Sequence, residues 1–216
     1  MKNIYIYIHI STIGTWIEIL ENIMDNIKNS GLYDKVEKIK CCVLGNFLNI
    51  PPVLKDNKII IHKNNNLNLY ERFTLNNLYD DSIKEDFYCL YIHTKGVTKP
   101  NSLAVKDWRN YLLYFNTTYF ENILEYLNKY DTVGVQLQNY GGIHYSGNFW
   151  WSKSSHIRNL KREIDDNYCS PEFWICSKKD HTKYFSLWYT NLNLYDNRYQ
   201  KENYISKGLK PYELNY

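Results

Sequence analysis

A chain of 216 residues is enough for one domain, and a domain of this size buries roughly 70% of the surface its unfolded form exposes, so it needs neither a disulfide nor a metal to stay folded. Hydrophobic residues make up 44% and charged residues 23% of the chain, which excludes the disordered and fibrous classes. A net charge of +3 suits small anionic ligands but is too weak for a nucleic-acid binder, and no nucleic-acid partner is expected.

The chain opens on an alternation, with Ile4, Ile6, Ile8 and Ile10 on one face of a strand and Tyr5, Tyr7 and His9 on the other. A turn over residues 11–15 leads into a helix whose stripe is Trp16, Leu20, Ile23 and Ile27, stopped at Ser30-Gly31. Strands are predicted over 38–44 and 58–62, a helix over 70–83, and a buried central strand over 87–92 that ends in His93-Thr94-Lys95-Gly96. One long helix is predicted over 105–130 and a further strand over 132–137, after which Gly141-Gly142 turns into the segment 144–151. Strands alternating with helices imply a three-layer α/β domain, Rossmann-like, around a mostly parallel mixed sheet. Within it, residues 1–100 form one half and 101–180 the other. Residues 181–216 read as a helical, Tyr-rich tail.

The five cysteines form no C-x-x-C pair, and the N-terminus lacks a continuous apolar signal core, so a reducing, cytoplasmic location is expected. No membrane span is predicted. The 22 Tyr and 6 Trp have two readings: AT-rich coding bias, or aromatic faces for a sugar or a base.

In open α/β sheets ligands bind beyond the carboxyl ends of the strands. Those ends carry His9, Ser11 and Thr12, then His93, Lys95 and Gly96. A strand-end His and Lys are either simply solvated or set to hold a diphosphate, with His93 also able to bind a metal. In the segment 144–151, His144, Ser146 and Asn148 share one face of a predicted strand. Of the adjacent Trp150 and Trp151, one enters the core and the other lines a cleft; a plain buried hairpin is the alternative. Asp107 fits the first turn of the long helix, whereas Arg109 opposes the helix dipole and calls for an anion. Glu172 after Ser170-Pro171 is either a helix-start acid or a base. Phosphate-binding P-loops, G-x-G-x-x-G, H-E-x-x-H and G-x-S-x-G are all absent from the sequence.

The runs SGLYDKVEKIK, YCLYIHTKGV, VKDWRNYLLYF, DTVGVQL and HYSGNFWWSKSSHIRNL, spread over residues 3–178, resemble a set of glycosyltransferase-like proteins. They are also similar to the glycosyltransferase domain of large DNA viruses that glycosylate their own capsids, and more distantly to bacterial rhamnan-synthesis proteins. The resemblance implies a GT-A-like fold, with residues 1–100 as its nucleotide-binding half and 101–180 as its donor-sugar and acceptor half, that moves a hexose or deoxyhexose from a nucleoside diphosphate sugar, UDP-sugars favoured, to a hydroxyl of a glycan or glycoprotein. It implies Mn²⁺ or Mg²⁺ as the usual cofactor, in the host cytoplasm or virus factory if the chain is viral. Where the family carries Asp-x-Asp, this chain has His93-Thr94-Lys95; a metal would draw on His93 or Asp107, or Lys95 would replace part of its charge. Expected donor and nucleotide contacts are His9, Ser11, Thr12, His93, Lys95, Gly96 and Arg109. His144, Ser146, Gly147, Asn148 and Trp150 would meet the sugar or acceptor, and Glu172 and Asp107 would serve catalysis. The alternative is a carbohydrate- or nucleotide-binding module without turnover.

Overall fold

The structure, a computed structural model, describes residues 2–47, 49–178 and 182–213. Its strands are β1 (Asn3–Ser11), β2 (Lys38–Leu44), β3 (Ile59–Asn64), β4 (Phe87–His93), β5 (Thr132–Gly134), β6 (Leu137–Gln138), β7 (His144–Tyr145), β8 (Trp150–Lys153) and β9 (Tyr184–Ser186). The helices are α1 (Trp16–Asn29), α2 (Leu32–Lys35), α3 (Arg72–Lys84), α4 (Leu103–Thr118), α5 (Phe120–Tyr126), α6 (Ser154–Ile157) and α7 (Ser170–Trp174). A seven-stranded sheet runs β3-β2-β1-β4-β8-β5-β9. It is parallel except for β8, which pairs antiparallel with both β4 and β5.

Helices cover both faces, as an α/β sheet with buried strands requires. The isoleucines of β1 pack with α1, α4 and α5, while Tyr5 and Tyr7 pack on the other face with α3, α6 and α7. The tyrosines reach across that layer: Tyr5 donates to Glu85 and Tyr7 to Asp81. Their hydroxyls are thus satisfied although both rings are fully buried.

The long helix predicted over 105–130 is broken. Asn116 and Thr117 turn their side chains back onto the carbonyls of Leu112 and Leu113, and Tyr119 leaves helical geometry (φ −100°, ψ 25°). Side chains that compete for the backbone in this way, next to β-branched Thr118, end α4 and start α5 afresh. The strand predicted over 132–137 also stops early, because Gln136 is left-handed (φ 58°) and the chain leaves the sheet for the β6–β7 hairpin.

Residues 184–213 are not a helical appendage. β9 forms the sheet edge beside β5, and Trp188, Tyr199 and Tyr204 are buried against Tyr111 and Phe115 of α4. Much of the Tyr excess is therefore core. Among the described residues no helix is long and apolar enough to cross a membrane.

Candidate functional site

From β1 the chain passes through α1 to β2 on one side, while β4 flanks β1 on the other. The strand order reverses there, and at such a point open α/β sheets leave a ligand crevice beyond the carboxyl ends of the strands. A cleft of about 510 Å³ occupies that position, lined among others by His9, Ser11, Glu71, His93, Lys95 and Trp108. This volume suits a drug-sized ligand.

His9 and His93 are register partners on β1 and β4, so both project toward α3. The His9 Nδ1 pairs with Thr74 Oγ1 at 2.9 Å, and burial lowers its pKa to about 4. The His93 Nε2 lies 3.0 Å from the carbonyl of Gly147, which requires an Nε2–H tautomer and leaves Nδ1 as an acceptor. Burial, then the nearby Lys95 charge, lowers its pKa to about 3. Both rings are neutral at physiological pH.

Lys95 supplies the positive charge. Its Nζ sits 3.5 Å from the centre of the Trp108 ring, a cation–π contact. Among the described residues no carboxylate comes within 4.0 Å of it. Burial outweighs the pull of Glu172 and Glu71 and lowers its pKa to about 8. An ammonium held over an aromatic face without an ion-pair partner is available to an incoming anion. Gly96 behind it is left-handed (φ 94°), and a Cβ there would lie 2.9 Å from Val105 Cγ1. Only glycine makes this turn so close to α4.

Among the described residues the one carboxylate lining the cleft is that of Glu71, just before α3. Its Oε2 accepts from the hydroxyl of Tyr91 (2.6 Å) and from Asn148 Nδ2 (2.6 Å), and Asn148 Oδ1 in turn accepts from the indole N–H of Trp150 (2.7 Å). That network ties α3, β4 and β8 together and leaves Oε1 without a hydrogen bond among the described residues. At the rim, exposed Tyr70 and Tyr168 meet edge to face with centroids 5.2 Å apart. Opposite them Lys99 bonds the hydroxyl of Tyr195. Tyr70 is itself left-handed (φ 45°), a conformation costly for a bulky residue and one that gathers at functional sites.

Of the expected donor contacts, His9, Ser11, His93, Lys95 and Gly96 meet in this cleft. Thr12 instead bonds the carbonyl of Leu44. Arg109 lies behind the cleft, donating from Nη1 to the carbonyl of Lys95 (2.8 Å) and lining a second cavity.

The 144–151 segment differs from the expected strand. β7 ends at Tyr145, then Gly147 (φ 93°) and Asn148 (φ 56°) are left-handed, so the polar comb never forms. His144 turns to the carbonyl of Gly142 and the ring of Phe173; Ser146 anchors the hairpin through its N–H to Gln136. Gly147 and Asn148 reach the site from beneath, through His93 and Glu71. Neither tryptophan lines a cleft: Trp150 and Trp151 are both 0% exposed, because β8 is an interior strand covered on both faces. Trp150 stacks on Tyr91 and Trp151 donates to the carbonyl of Asn116.

The expected catalytic acids are engaged elsewhere. Asp107 is ion-paired with Arg198 (2.7 Å) beside a different cavity. Glu172 accepts from the N–H of Gly147 (2.8 Å), bracing the loop beneath His93. For a hard divalent cation, which wants several carboxylate oxygens, the cleft presents one carboxylate with an oxygen already doubly used, two imidazoles with a nitrogen each engaged, and a lysine. That donor set does not fit Mn²⁺ or Mg²⁺, and among the described residues no group of three His, Cys, Asp or Glu side chains could hold a metal.

Sequence reasoning missed Glu71, Tyr91 and the Tyr70–Tyr168 rim. Tyr91 lay hidden in an apolar run. Glu71 was legible only as an acid at a helix start, a position usually explained by the dipole alone. A scan against protein-family models matches none, and a search of the curated proteins returns no match.

Proposed function

We propose that this chain is a glycosyltransferase of GT-A-like architecture that takes a nucleoside diphosphate sugar, a UDP-sugar in the favoured case, and transfers the sugar to a hydroxyl of a glycan or glycoprotein. One observation carries the reading: an ammonium without a carboxylate partner, Lys95, stands at the strand-order reversal of a Rossmann-like sheet, inside a cleft of ligand size. In this reaction the acceptor oxygen bonds to the anomeric carbon as the bond from that carbon to the diphosphate breaks, and the acceptor proton must leave. Lys95 stabilises the charge that grows on the departing diphosphate, in place of a metal. Glu71, through Oε1, takes the proton, the role first assigned to Glu172. Neutral His9 and His93 shape the pocket and donate or accept hydrogen bonds without adding charge. The exposed faces of Tyr70 and Tyr168 receive a planar base or the apolar face of a sugar.

The test is turnover of a panel of UDP- and GDP-sugars, read as release of nucleoside diphosphate with and without simple sugar acceptors. Thermal unfolding is followed in parallel with UDP and GDP. Absence of both turnover and stabilisation rejects the proposal. A second reading, a binding module without turnover, is favoured by the engagement of Asp107 and Glu172 in other contacts. Stabilisation by a nucleotide without transfer to any acceptor would select it.

A further inference from the structure

We propose that a second cavity, behind the turn at Lys95-Gly96, binds a phosphate-sized oxyanion. The inference does not depend on the reaction in the main cleft. The cavity is about 220 Å³ and lies between the first turns of α1 and α4, with Glu18 and Asn22 on one wall and Ser102, Lys106 and Arg109 on the other. At roughly 30 Å³ of liquid per water it holds about seven waters. A tetrahedral oxyanion with part of its hydration fits.

Arg109 is the principal observation. It is only 7% exposed, yet among the described residues its one hydrogen bond is the one from Nη1 to the carbonyl of Lys95, and its buried Nε has no partner among them. Among the described residues no carboxylate pairs with it, and burial alone lowers the guanidinium pKa. A buried cation is normally compensated by an ion pair or several hydrogen bonds, and this one has neither. The start of α4 borders the same space through Ser102, Val105 and Lys106. Ser102 caps the 16-residue helix by accepting from Val105 N–H, which leaves the amides of Leu103 and Ala104 without helical acceptors. Lys106 and Arg109, three residues apart, share a helix face. The two cations repel one another, Lys106 lies in the positive first turn of the helix, and a bound anion offsets those repulsions by attracting both cations and the helix end. Among the described residues Glu18 is the only acidic one lining the cavity, against Lys99, Lys106 and Arg109.

Gly96, Lys99 and Val105 line both cavities, so the turn at Gly96 is the partition between them. An oxyanion that engages Arg109 draws on the group that holds the Lys95 carbonyl, and its occupancy is thereby coupled to the position of the Lys95 side chain.

The experiment titrates the full chain with inorganic phosphate against chloride at constant ionic strength, following thermal unfolding and the amide resonances of residues 102–106. A saturable rise in Tm, with shifts confined to those amides, is expected. Lys106→Ala at the exposed mouth weakens binding roughly two- to five-fold, and Arg109→Gln weakens it by about 10- to 100-fold. Glu18→Gln tightens binding roughly two- to five-fold, an effect that a merely damaged fold does not mimic, so the proposal stays testable if the Arg109 variant does not fold. UDP separates the two sources of such an anion. If saturating UDP leaves the phosphate response intact, the ligand is a free small oxyanion; if it displaces phosphate, the anion is part of a ligand that reaches past Gly96 from the main cleft. Either result keeps the site. No saturable response to phosphate beyond that to chloride overturns it, as do unchanged affinities in Lys106→Ala and Glu18→Gln.

Discussion

Replacing Lys95 by methionine isolates the charge on which the proposed function turns. Methionine preserves most of the side-chain length and the packing on Trp108, so the principal loss is the ammonium. A hydrogen bond to a charged group contributes about 1.5–3 kcal/mol, and at about 1.4 kcal/mol per decade Lys95→Met should weaken UDP binding roughly 10- to 150-fold. Calorimetric titration at pH 7 measures it directly. The pH profile adds a signature that simple disruption of the site would not produce. Because burial holds the Lys95 pKa at about 8 in the empty protein, native affinity is constant below that pH. Above it, affinity falls by up to tenfold per pH unit, until the pKa of the liganded state is reached. The Lys95→Met profile is flat across the same interval. In the empty protein the effect on stability has the opposite sense. The folded state binds fewer protons than the unfolded state between about pH 8 and the usual lysine value, so stability rises with pH across that window. A native profile that is flat through pH 8, or a variant that binds UDP within twofold of the native protein, refutes the assignment of Lys95.

Three further outcomes follow from the same geometry. Gly147→Ala puts a Cβ 2.6 Å from Leu112 Cδ1 and 3.1 Å from the Trp108 ring at a residue with φ 93°; left-handed strain of about 1–2 kcal/mol plus overpacking of about 1–3 kcal/mol should appear as a lower denaturant midpoint, and native-like stability would contradict the packing described. His9, buried with its pKa lowered to about 4, binds a proton less readily folded than unfolded, so its contribution is intact above about pH 6.5 and is lost on acidification, by about 3 kcal/mol at pH 4; His9→Gln should flatten that part of the stability profile measured by urea unfolding. Glu71→Gln should tighten UDP binding, by removing a negative charge from the cleft that holds Lys95, while lowering turnover by roughly 10²–10⁴-fold as expected for a general base. Unchanged turnover in that variant would confine Glu71 to anchoring Tyr91 and Asn148.

The first half of the chain was legible because its elements follow simple periods. The alternation of Ile4 to Ile10 and the stripe from Trp16 to Ile27 each specify one face, and both sit where those periods put them. The cleft position was legible as well, since His9, His93 and Lys95 end adjacent strands and strand ends are where such sheets bind ligands. Beyond Thr118 local pattern failed. Short strands such as β5, with three residues, carry too little periodicity to read, and left-handed Gln136 and Asn148 redirect the chain without a glycine to announce it. The polar residues of the site divided in the same way. Lys95 could be placed from its strand alone. The contact of Glu71 with Asn148 spans 77 residues and depends on how α3 docks, which nothing local encodes.

The placement of β9 and of Trp188 bears on how the molecule comes off the ribosome. The outer edge of the sheet and the aromatic cover over Tyr111 and Phe115 are both supplied by residues after 183. During synthesis the β3-β2-β1-β4 half can assemble before the residues after 183 are made, and α4 then waits with an uncovered aromatic face until they emerge. For this protein the vulnerable interval lasts until the segment after residue 183 is made, and a chain stalled or clipped near residue 183 presents to chaperones and proteases the surface that the folded molecule hides.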